Sequence, residues 1–310
     1  MDVNFAVKYP FSRTAKQLIE QNGVTLSDDI VAKGLERVKA ALNGRIPVSS
    51  AIHPNEKLEE VASYGAARVI LGVLRNRYLT NRYAIGEAKR AGSLINDSDI
   101  AAIGNEMGVV TEGGRDGGLI VRLATYLKFC PKSIDYKLIN REVKGGLVRI
   151  NRHEWARLIE ESVKKHVERI PMVKGPAENV KRAAERLKEL LPKMESKKMD
   201  FREGANPPCI EKIIENLQKH ENLSHQARWI LAVYLINRGV DTEKIKSLFS
   251  NLPDFSERKS RYQIEHAKKR GYSMPTCSTL LSYGLCVADC RIGNPMKWRP
   301  KAQKREEKGG

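Results

Sequence analysis

Four of the five cysteines lie in the last third of the chain, where their spacing can build a metal centre. Cys209, Cys277, Cys286 and Cys290 are separated in turn by 67, 8 and 3 residues. Four thiolates can hold a tetrahedral zinc ion or an iron–sulfur cluster. Zinc sites made of cysteine alone usually use two tight ligand pairs, and only Cys286 and Cys290 form such a pair here. The spacing therefore favours a cluster and leaves zinc as the alternative.

The fifth cysteine, Cys130, ends an apolar run over 123–130. Cysteine is a common buried residue, so we expect Cys130 to be structural. A chain with five cysteines in a reducing compartment is more typical of metal or cluster ligation than of disulfides. The other four are therefore the candidate ligands.

Two pairs of polar residues between the cysteines have the spacing of helix faces. His225 and Arg228 lie three residues apart at the start of the apolar run 229–236, and Tyr262 and His266 lie four apart. Such neighbours share one face of a helix. A guanidinium binds phosphate and an aromatic ring stacks on a base, so we predict contacts to nucleic acid. The alternatives are a capping or core histidine at His225 and a half-buried ring at Tyr262.

The order of these residues resembles the iron–sulfur domain of the large subunit of archaeal and eukaryotic DNA primases. In that family a cysteine precedes a helix with an H-x-x-R pattern, a helix with a Y-x-x-x-H pattern follows, and three more cysteines close the site. Residues 63–71 and 82–90 are similar to the family's helical N-terminal domain, so the resemblance extends over nearly the whole chain. The chain departs from the eukaryotic pattern at Leu231, where a tyrosine would be expected, and Tyr234 is the candidate replacement.

The resemblance implies a regulatory subunit of a DNA primase, of the archaeal type. Such a subunit binds the catalytic small subunit, the DNA template and the RNA primer, and it supports initiation and primer-length control in DNA replication. The resemblance also implies a [4Fe-4S] cluster on the four cysteines. It assigns contacts with the template–primer end, notably the 5′-triphosphate of the initiating nucleotide, to His225, Arg228, Tyr262 and His266. The alternative is a zinc- or cluster-stapled nucleic-acid-binding or repair protein without a primase partner.

Two motifs could suggest catalysis, but neither has the pattern that catalysis needs. Asp97 and Asp99 have the spacing of Mg²⁺-binding carboxylates, yet they precede the apolar stretch 100–103, where aspartate is a good helix cap. The glycine-rich stretch 113–118 lacks the Gly-Lys-Ser/Thr of a phosphate-binding loop, so we expect a turn. We predict that the chain is not itself an enzyme and that the active site lies on the partner subunit.

The charge balance indicates a polyanionic partner. The formal net charge is +18 and the pI is about 9.7, which favours nucleic acid over a membrane surface. The alternative is a solvated surface of mixed charge, because glutamate is also abundant. The sequence has no apolar run of about 18 residues and no signal-like N-terminus. We therefore expect an intracellular, cytoplasmic, nucleoid-associated protein without a membrane partner.

Helical periodicity dominates the chain and predicts a mainly α fold. We divide it into a helical domain over 1–200 that binds the small subunit, an iron–sulfur domain over 201–290, and a basic tail over 291–310 whose end we expect to be disordered. A hinge or a packed loop near 200 would join the first two. The predicted helices cover 28–42, 56–76, 83–91, 177–198, 211–218, 224–237, 241–249 and 256–269.

Residues 136–150 depart from the helical period and predict a small β-hairpin around Lys144-Gly-Gly. Asn151 and Glu154 then have the spacing of a capping box. In the helix that follows, Trp155, Leu158 and Ile159 share one face. They are either core residues or part of the interface with the small subunit, where such anchors are typical.

A further prediction concerns the helix over 83–91. Its charged residues Glu87, Lys89 and Arg90 are expected on the solvent side, because charged side chains are rarely buried.

Overall fold

The fold is mainly helical, as predicted. The chain divides into two compact units, Met1–Pro192 and Lys193–Gly310, called unit 1 and unit 2 below. Most of the predicted hinge, most of the glycine-rich stretch and the end of the basic tail lie outside the described residues. The computed structural model describes residues 2–113, 118–189, 205–250 and 252–299.

Several helices of unit 1 begin where the sequence supplies caps. Ser27 accepts a hydrogen bond from the Ile30 N–H and opens the third helix, and the predicted capping box of Asn151 and Glu154 opens the eighth. The helices described in unit 1 are α1 Val3–Lys8, α2 Arg13–Gln21, α3 Asp28–Leu42, α4 Pro54–Leu74, α5 Arg77–Leu94, α6 Ile100–Met107, α7 Leu123–Phe129, α8 Arg152–Val167 and α9 Glu178–Glu189. No helix in the described parts of the chain is long and apolar enough to cross a membrane.

The core of unit 1 includes the face of α8 that the sequence singled out. Trp155, Leu158 and Ile159 are fully buried, and the Trp155 Nε1–H donates to the Val109 carbonyl at 3.2 Å. A side chain buried within its own unit offers no area to a partner. These three residues are therefore core residues, and the interface interpretation does not hold for them.

Unit 1 also contains a small antiparallel sheet in the order β1-β2-β4-β3. Its strands are β1 Glu112–Gly113, β2 Leu119–Arg122, β3 Val143–Lys144 and β4 Leu147–Ile150. The β3–β4 hairpin is where the sequence predicts it, but residues before it form 3₁₀ turns at Ile134–Tyr136 and Leu138–Asn140. Arg141 holds these turns by donating to the carbonyls of Asp135 and Asn140.

Helix α5 contradicts the prediction for its charged residues. Glu87 and Arg90 are buried, and only Lys89 is exposed. Arg37 of α3 donates from Nε to Glu87 at 2.6 Å and from Nη1 to Glu60 at 2.6 Å. A buried charge is tolerated when it is paired and hydrogen-bonded, and the pairing partners are distant in sequence.

The carboxylates of Asp97 and Asp99 are both bound to other side chains. Asn96, and not an aspartate, makes the side-chain cap here, by accepting from the Asp99 N–H at 3.1 Å. Asp99 accepts from the Lys8 Nζ at 3.0 Å and from the Tyr9 hydroxyl at 2.9 Å. Asp97 lies 3.0 Å from the Arg152 guanidinium. Asp99 does occupy the N-cap position of α6, as predicted, but its carboxylate makes no capping hydrogen bond.

Two helices with apolar faces, Pro208–Gln218 and His225–Asn237, form the centre of unit 2. Its core includes Ile210, Leu217 and Ile230. The predicted caps are confirmed, because Ser224 accepts from the Ala227 N–H at 3.1 Å and Asp241 from the Glu243 N–H at 2.9 Å. The helices described in unit 2 are α10 Pro208–Gln218, α11 His225–Asn237, α12 Thr242–Phe249, α13 Glu257–Arg270 and α14 Cys277–Ser282.

Candidate functional site

The four predicted ligand cysteines line one cavity of unit 2. Cys209 lies in the first turn of α10, Cys277 begins α14, and Cys286 and Cys290 follow α14. The cavity has a volume of about 490 Å³. That is many times the roughly 30 Å³ of a water molecule, so it has room for a group larger than a single ion. Cys130 belongs to unit 1 and ends α7.

Backbone contacts hold the cysteine segments together. The Cys277 N–H donates to the Gly293 carbonyl at 2.9 Å, which ties the start of α14 to the chain beyond Cys290. The thiols of Cys286 and Cys290 both point their Sγ at the Ala288 carbonyl, at 3.4 and 3.6 Å. The last two predicted ligands therefore converge on one turn.

The charge state of the thiols reflects this crowding. Burial, together with the smaller effects of the neighbouring Cys277 and Cys286, raises the pKa of Cys209 to about 11. Burial and then Cys286 also raise the pKa values of Cys277 and Cys290. Bound metal ions reverse such shifts, because they stabilise thiolates.

The donor set and the cavity fit an iron–sulfur cluster. All four side chains are thiols, the usual ligands of such clusters. As the side chains stand, no three histidine, cysteine, aspartate or glutamate residues in the described parts of the chain form a group that could hold a metal ion.

A row of four aromatic rings runs across the surface of α13 and α11. Tyr262 and His266 stack with ring centroids 5.8 Å apart, and His266 lies 6.0 Å from Tyr272. Tyr272 in turn lies 5.9 Å from Trp229 of α11. We call Tyr262, His266, Tyr272 and Trp229 the aromatic row. Tyr262 is 68% exposed and Tyr272 is 39% exposed, so bases can reach the rings.

Two members of the aromatic row, Trp229 and Tyr272, were not predicted as site residues. Trp229 directly follows Arg228 in the sequence, and Tyr272 directly follows the glycine that ends α13. Trp229 was assigned to an apolar helix, since tryptophan is usually counted as a core residue. The contact between the two rings depends on the packing of α11 against α13.

Arg228 is held firmly by its own unit. Its Nη2 lies 2.5 Å from Asp254 Oδ2 and 2.8 Å from both the Leu223 carbonyl and Asn222 Oδ1. Its side chain is 21% exposed, and the bonds use Nε and Nη2. His225 is the first residue of α11 and is exposed, with Ser224 as the cap. The structure thus assigns Arg228 a structural role beside any ligand contact.

Tyr234 does not replace the tyrosine that is missing at Leu231. Both side chains are buried in the core of unit 2, and the Tyr234 hydroxyl donates to Asn206 Oδ1 at 3.0 Å. A buried ring cannot stack on a base, so Tyr234 is not a stacking residue.

Basic residues lie at both ends of α13. Arg258 and Arg261 are in its first turns, and Lys268, Lys269 and Arg270 form its last turn. All five are exposed. Phosphates attracted by this helix would therefore lie close to the aromatic row.

Comparison with known proteins agrees with this arrangement. The family described as the C-terminal domain of the large subunit of eukaryotic and archaeal DNA primase matches residues 199–304, which include the four cysteines and the aromatic row. The DNA primase large subunit of Methanosarcina acetivorans is 31% identical over 319 residues, with 93% of this chain and 85% of that protein covered. That of Methanosarcina mazei is 30% identical over 309 residues, with coverage of 92% and 83%. That of Methanocella arvoryzae is 28% identical over 337 residues, with coverage of 99% and 91%.

Proposed function

Because this chain belongs to the family of archaeal DNA primase large subunits, we propose that it is the non-catalytic subunit that starts primers together with a catalytic small subunit. Unit 2 binds the template and the 5′-triphosphate end of the nascent RNA primer. The observation that carries this proposal is the aromatic row, which presents the exposed rings of Tyr262 and Tyr272 and starts on α13, a helix with basic ends. Rings supply stacking and the cations supply phosphate contacts.

The contribution to the reaction is positional. Phosphoryl transfer needs metal ions and in-line geometry, which the small subunit supplies. Holding the initiating triphosphate and the template on one surface raises their local concentration and fixes their orientation for the reaction. His225, Arg228, Tyr262 and His266 hold the initiating end, and Trp229 and Tyr272 extend the stacking surface.

The second part of the proposal concerns the cofactor. Cys209, Cys277, Cys286 and Cys290 would hold a [4Fe-4S] cluster in the cavity that they line. When bound, the cluster supplies a covalent link between the start of α10 and the chain around α14. Such a link stabilises a small unit with a limited core. A zinc ion on the same residues is the alternative.

The cofactor is tested by metal analysis. We expect the protein purified without oxygen to carry about four irons per chain with matching sulfide and a broad visible absorption. Cys286→Ser should lower all three. Cys130→Ser, the matched control in unit 1, should leave them unchanged. If the protein contains one zinc and no iron per chain, the four cysteines bind zinc and not a cluster. Equal iron loss in both variants would contradict the four-cysteine assignment.

The function is tested by separating initiation from extension in the complex with the small subunit. Arg228→Ala should lower the rate of primer initiation by about 10- to 100-fold, as expected for the loss of a charge-assisted hydrogen bond of about 1.5–3 kcal/mol. Extension of a preformed primer should change by less than about twofold, because its 5′ end is not being captured. Steady-state assays with each substrate measure the two rates.

Asp254→Asn is the matched control for this experiment. It removes the charge partner of Arg228 but keeps the guanidinium. A purely structural role of Arg228 predicts the same defect in both variants, and a role at the 5′ end predicts an initiation defect in Arg228→Ala alone. Equal loss of initiation and extension would also contradict the proposal. A chain that does not co-purify with a catalytic small subunit would instead favour a nucleic-acid-binding protein without a primase partner.

A further inference from the structure

A second cavity, lined mostly by polar residues, lies in unit 1, where β4 leads into α8. Its volume is about 420 Å³. Three arginines and two asparagines line it together with two glutamates, one glycine and one isoleucine. We call it the arginine cavity, and its cationic and amide residues are Arg141, Arg149, Arg152, Asn140 and Asn151. Guanidinium and amide groups in one cavity are the donors that bind phosphate.

The cations continue from the cavity onto the sheet. In the strand register, Leu147 of β4 lies opposite Arg122 of β2 and Lys144 of β3. Residues that lie opposite one another share a face of the sheet, and so does Arg149, two residues further along β4. Neighbouring strands are about 4.8 Å apart, so Arg122 and Lys144 are roughly 10 Å apart across Leu147. Arg122, Lys144, Arg149 and Arg152, called the cationic strip below, are all exposed.

The acidic residues around the cavity fall into two kinds. Glu154 is bound firmly, because it lies 2.9 Å from Arg141 and closes the capping box of α8. Glu142 and Asp97 instead make surface pairs, with Arg149 at 3.7 Å and Arg152 at 3.0 Å. These two arginine side chains are 43% and 54% exposed.

Such exposed pairs contribute little to stability, about 0–1 kcal/mol. A phosphate that accepts two parallel hydrogen bonds from a guanidinium can replace a single carboxylate contact. Glu112 is a further acid on this face, opposite Ile120, and it lies one strand beyond the strip. Exchanging the surface pairs with Glu142 and Asp97 for contacts to a phosphate therefore costs little.

We propose that the arginine cavity and the cationic strip bind the phosphates of a single nucleic-acid strand, as a contact of unit 1 that is separate from the site in unit 2. A nucleoside triphosphate offers the same phosphate chemistry but would use the cavity alone. The strand is favoured because the cations extend beyond the cavity across β4, β2 and β3. Leu147 and Ile120 lie among them and offer apolar contact to sugars and bases.

The proposal is tested on the full chain by fluorescence anisotropy with a labelled oligothymidylate of about 20 nucleotides, long enough to span several sites of the usual size. Removing one phosphate-binding arginine should weaken binding about 5-fold at about 0.1 M salt, so Arg149→Ala/Arg152→Ala should weaken it by about 25-fold. The slope of log K against log salt should become shallower by about 1.4. The charge-matched control is Arg13→Ala/Lys16→Ala on α2, whose side chains are also exposed and form surface ion pairs.

The outcomes separate the competing explanations. An unchanged affinity, or equal weakening by the control, would overturn the proposal, because net charge alone would then explain binding. If ATP binding depends on Arg149 and Arg152 and oligonucleotide binding does not, the assignment to a nucleic-acid strand is overturned. Arg149→Lys/Arg152→Lys should restore most of the salt slope, and unchanged circular dichroism melting of each variant shows that the fold is intact. Tyr262→Ala reports on unit 2 independently, so failure of either site is recognised without the other.

Discussion

At the scale of single residues, unit 1 contains a charge network inside a helical core. Arg37, Glu60, Glu87 and Arg90 connect α3, α4 and α5, and Arg90 also donates to the carbonyls of Val7 and Lys8 at 3.0 Å. Burial alone would raise the pKa of Glu87, but Arg37 and then Arg90 outweigh it and lower the pKa. The carboxylate is therefore charged and matched by buried guanidinium groups.

This network predicts a strong effect of neutralising Glu87. Glu87→Gln removes one of the two carboxylates that pair with the buried Arg37, which should lower the free energy of unfolding by about 3–5 kcal/mol. Glu59→Gln, which breaks the exposed pair with Lys33, should lower it by less than about 1 kcal/mol. Urea unfolding followed by circular dichroism measures both. Similar small effects in the two variants would contradict the network's contribution.

The same residue predicts an acid dependence with a defined sign. The folded-state pKa of Glu87 lies below its usual 4.5, so the unfolded chain takes up the proton first as the pH falls. Its stabilisation is complete above about pH 4.5 and is lost as the pH falls through the folded-state pKa. The stability difference between wild type and Glu87→Gln should therefore shrink below that pH in unfolding titrations. A difference that stays constant down to pH 3 would contradict this account.

Residue types at the site were predictable, and their partners were not. The four cysteines and the spacing of Tyr262 and His266 can be read along the chain because each signal is local. The bond of Arg228 to Asp254 spans 26 residues, and that of Arg37 to Glu87 spans 50. Periodicity counts every charged residue as exposed, so it placed Glu87 and Arg90 in solvent. Only the packed fold brings their partners to them.

At the scale of elements, α3 and α4 approach each other closely at Gly34. A Cβ at this position would lie 2.7 Å from the Ala66 Cβ and 2.8 Å from the Ala67 backbone nitrogen. Gly34→Ala should therefore push the two helices apart and lower the free energy of unfolding by about 1–3 kcal/mol. This corresponds to a fall in Tm of several degrees, measured by thermal unfolding.

The neighbouring helix offers a control variant whose free energy of unfolding should change in the opposite direction. Gly65 in α4 is exposed, and a Cβ there would meet nothing within 4 Å. Gly65→Ala should raise the free energy of unfolding by about 0.5–1 kcal/mol, because alanine favours the helix. If both variants were stabilised, the close approach at Gly34 would not be a packing constraint.

The long helices and the β3–β4 hairpin were predictable, and strands β1 and β2 were not. The predicted helix over 28–42 matches α3, and Ser224 and Asp241 mark the starts of α11 and α12, because periodicity and caps are local signals. Strands β1 and β2 have two and four residues, too few for an alternating pattern. Their pairing with β4 depends on a partner strand further along the chain.

At the scale of the whole molecule, the proposed functions fall on different units. Unit 2 holds the four-cysteine cavity and the aromatic row, and unit 1 holds the arginine cavity. A strongly basic chain with sites on both units can engage more than one part of a nucleic acid, and each contact raises the local concentration of the other. This gain depends on the length and stiffness of the chain between the units.

The connecting stretch therefore predicts how primer length is set. Residues 190–204 lie outside the described residues, so this prediction rests on their place in the sequence and on the proposed function. In the proposed function, the 5′ end of a growing primer would stay with unit 2 while extension moves the 3′ end, so that the reach between the units would limit the length. Proline substitutions within 195–205 stiffen the chain and should change the distribution of primer lengths made with the small subunit.

The matched control carries alanines at the same positions, and gel analysis compares the products. Extension of a preformed primer should stay within about twofold of wild type, and an unchanged length distribution in the proline variant would contradict control by reach.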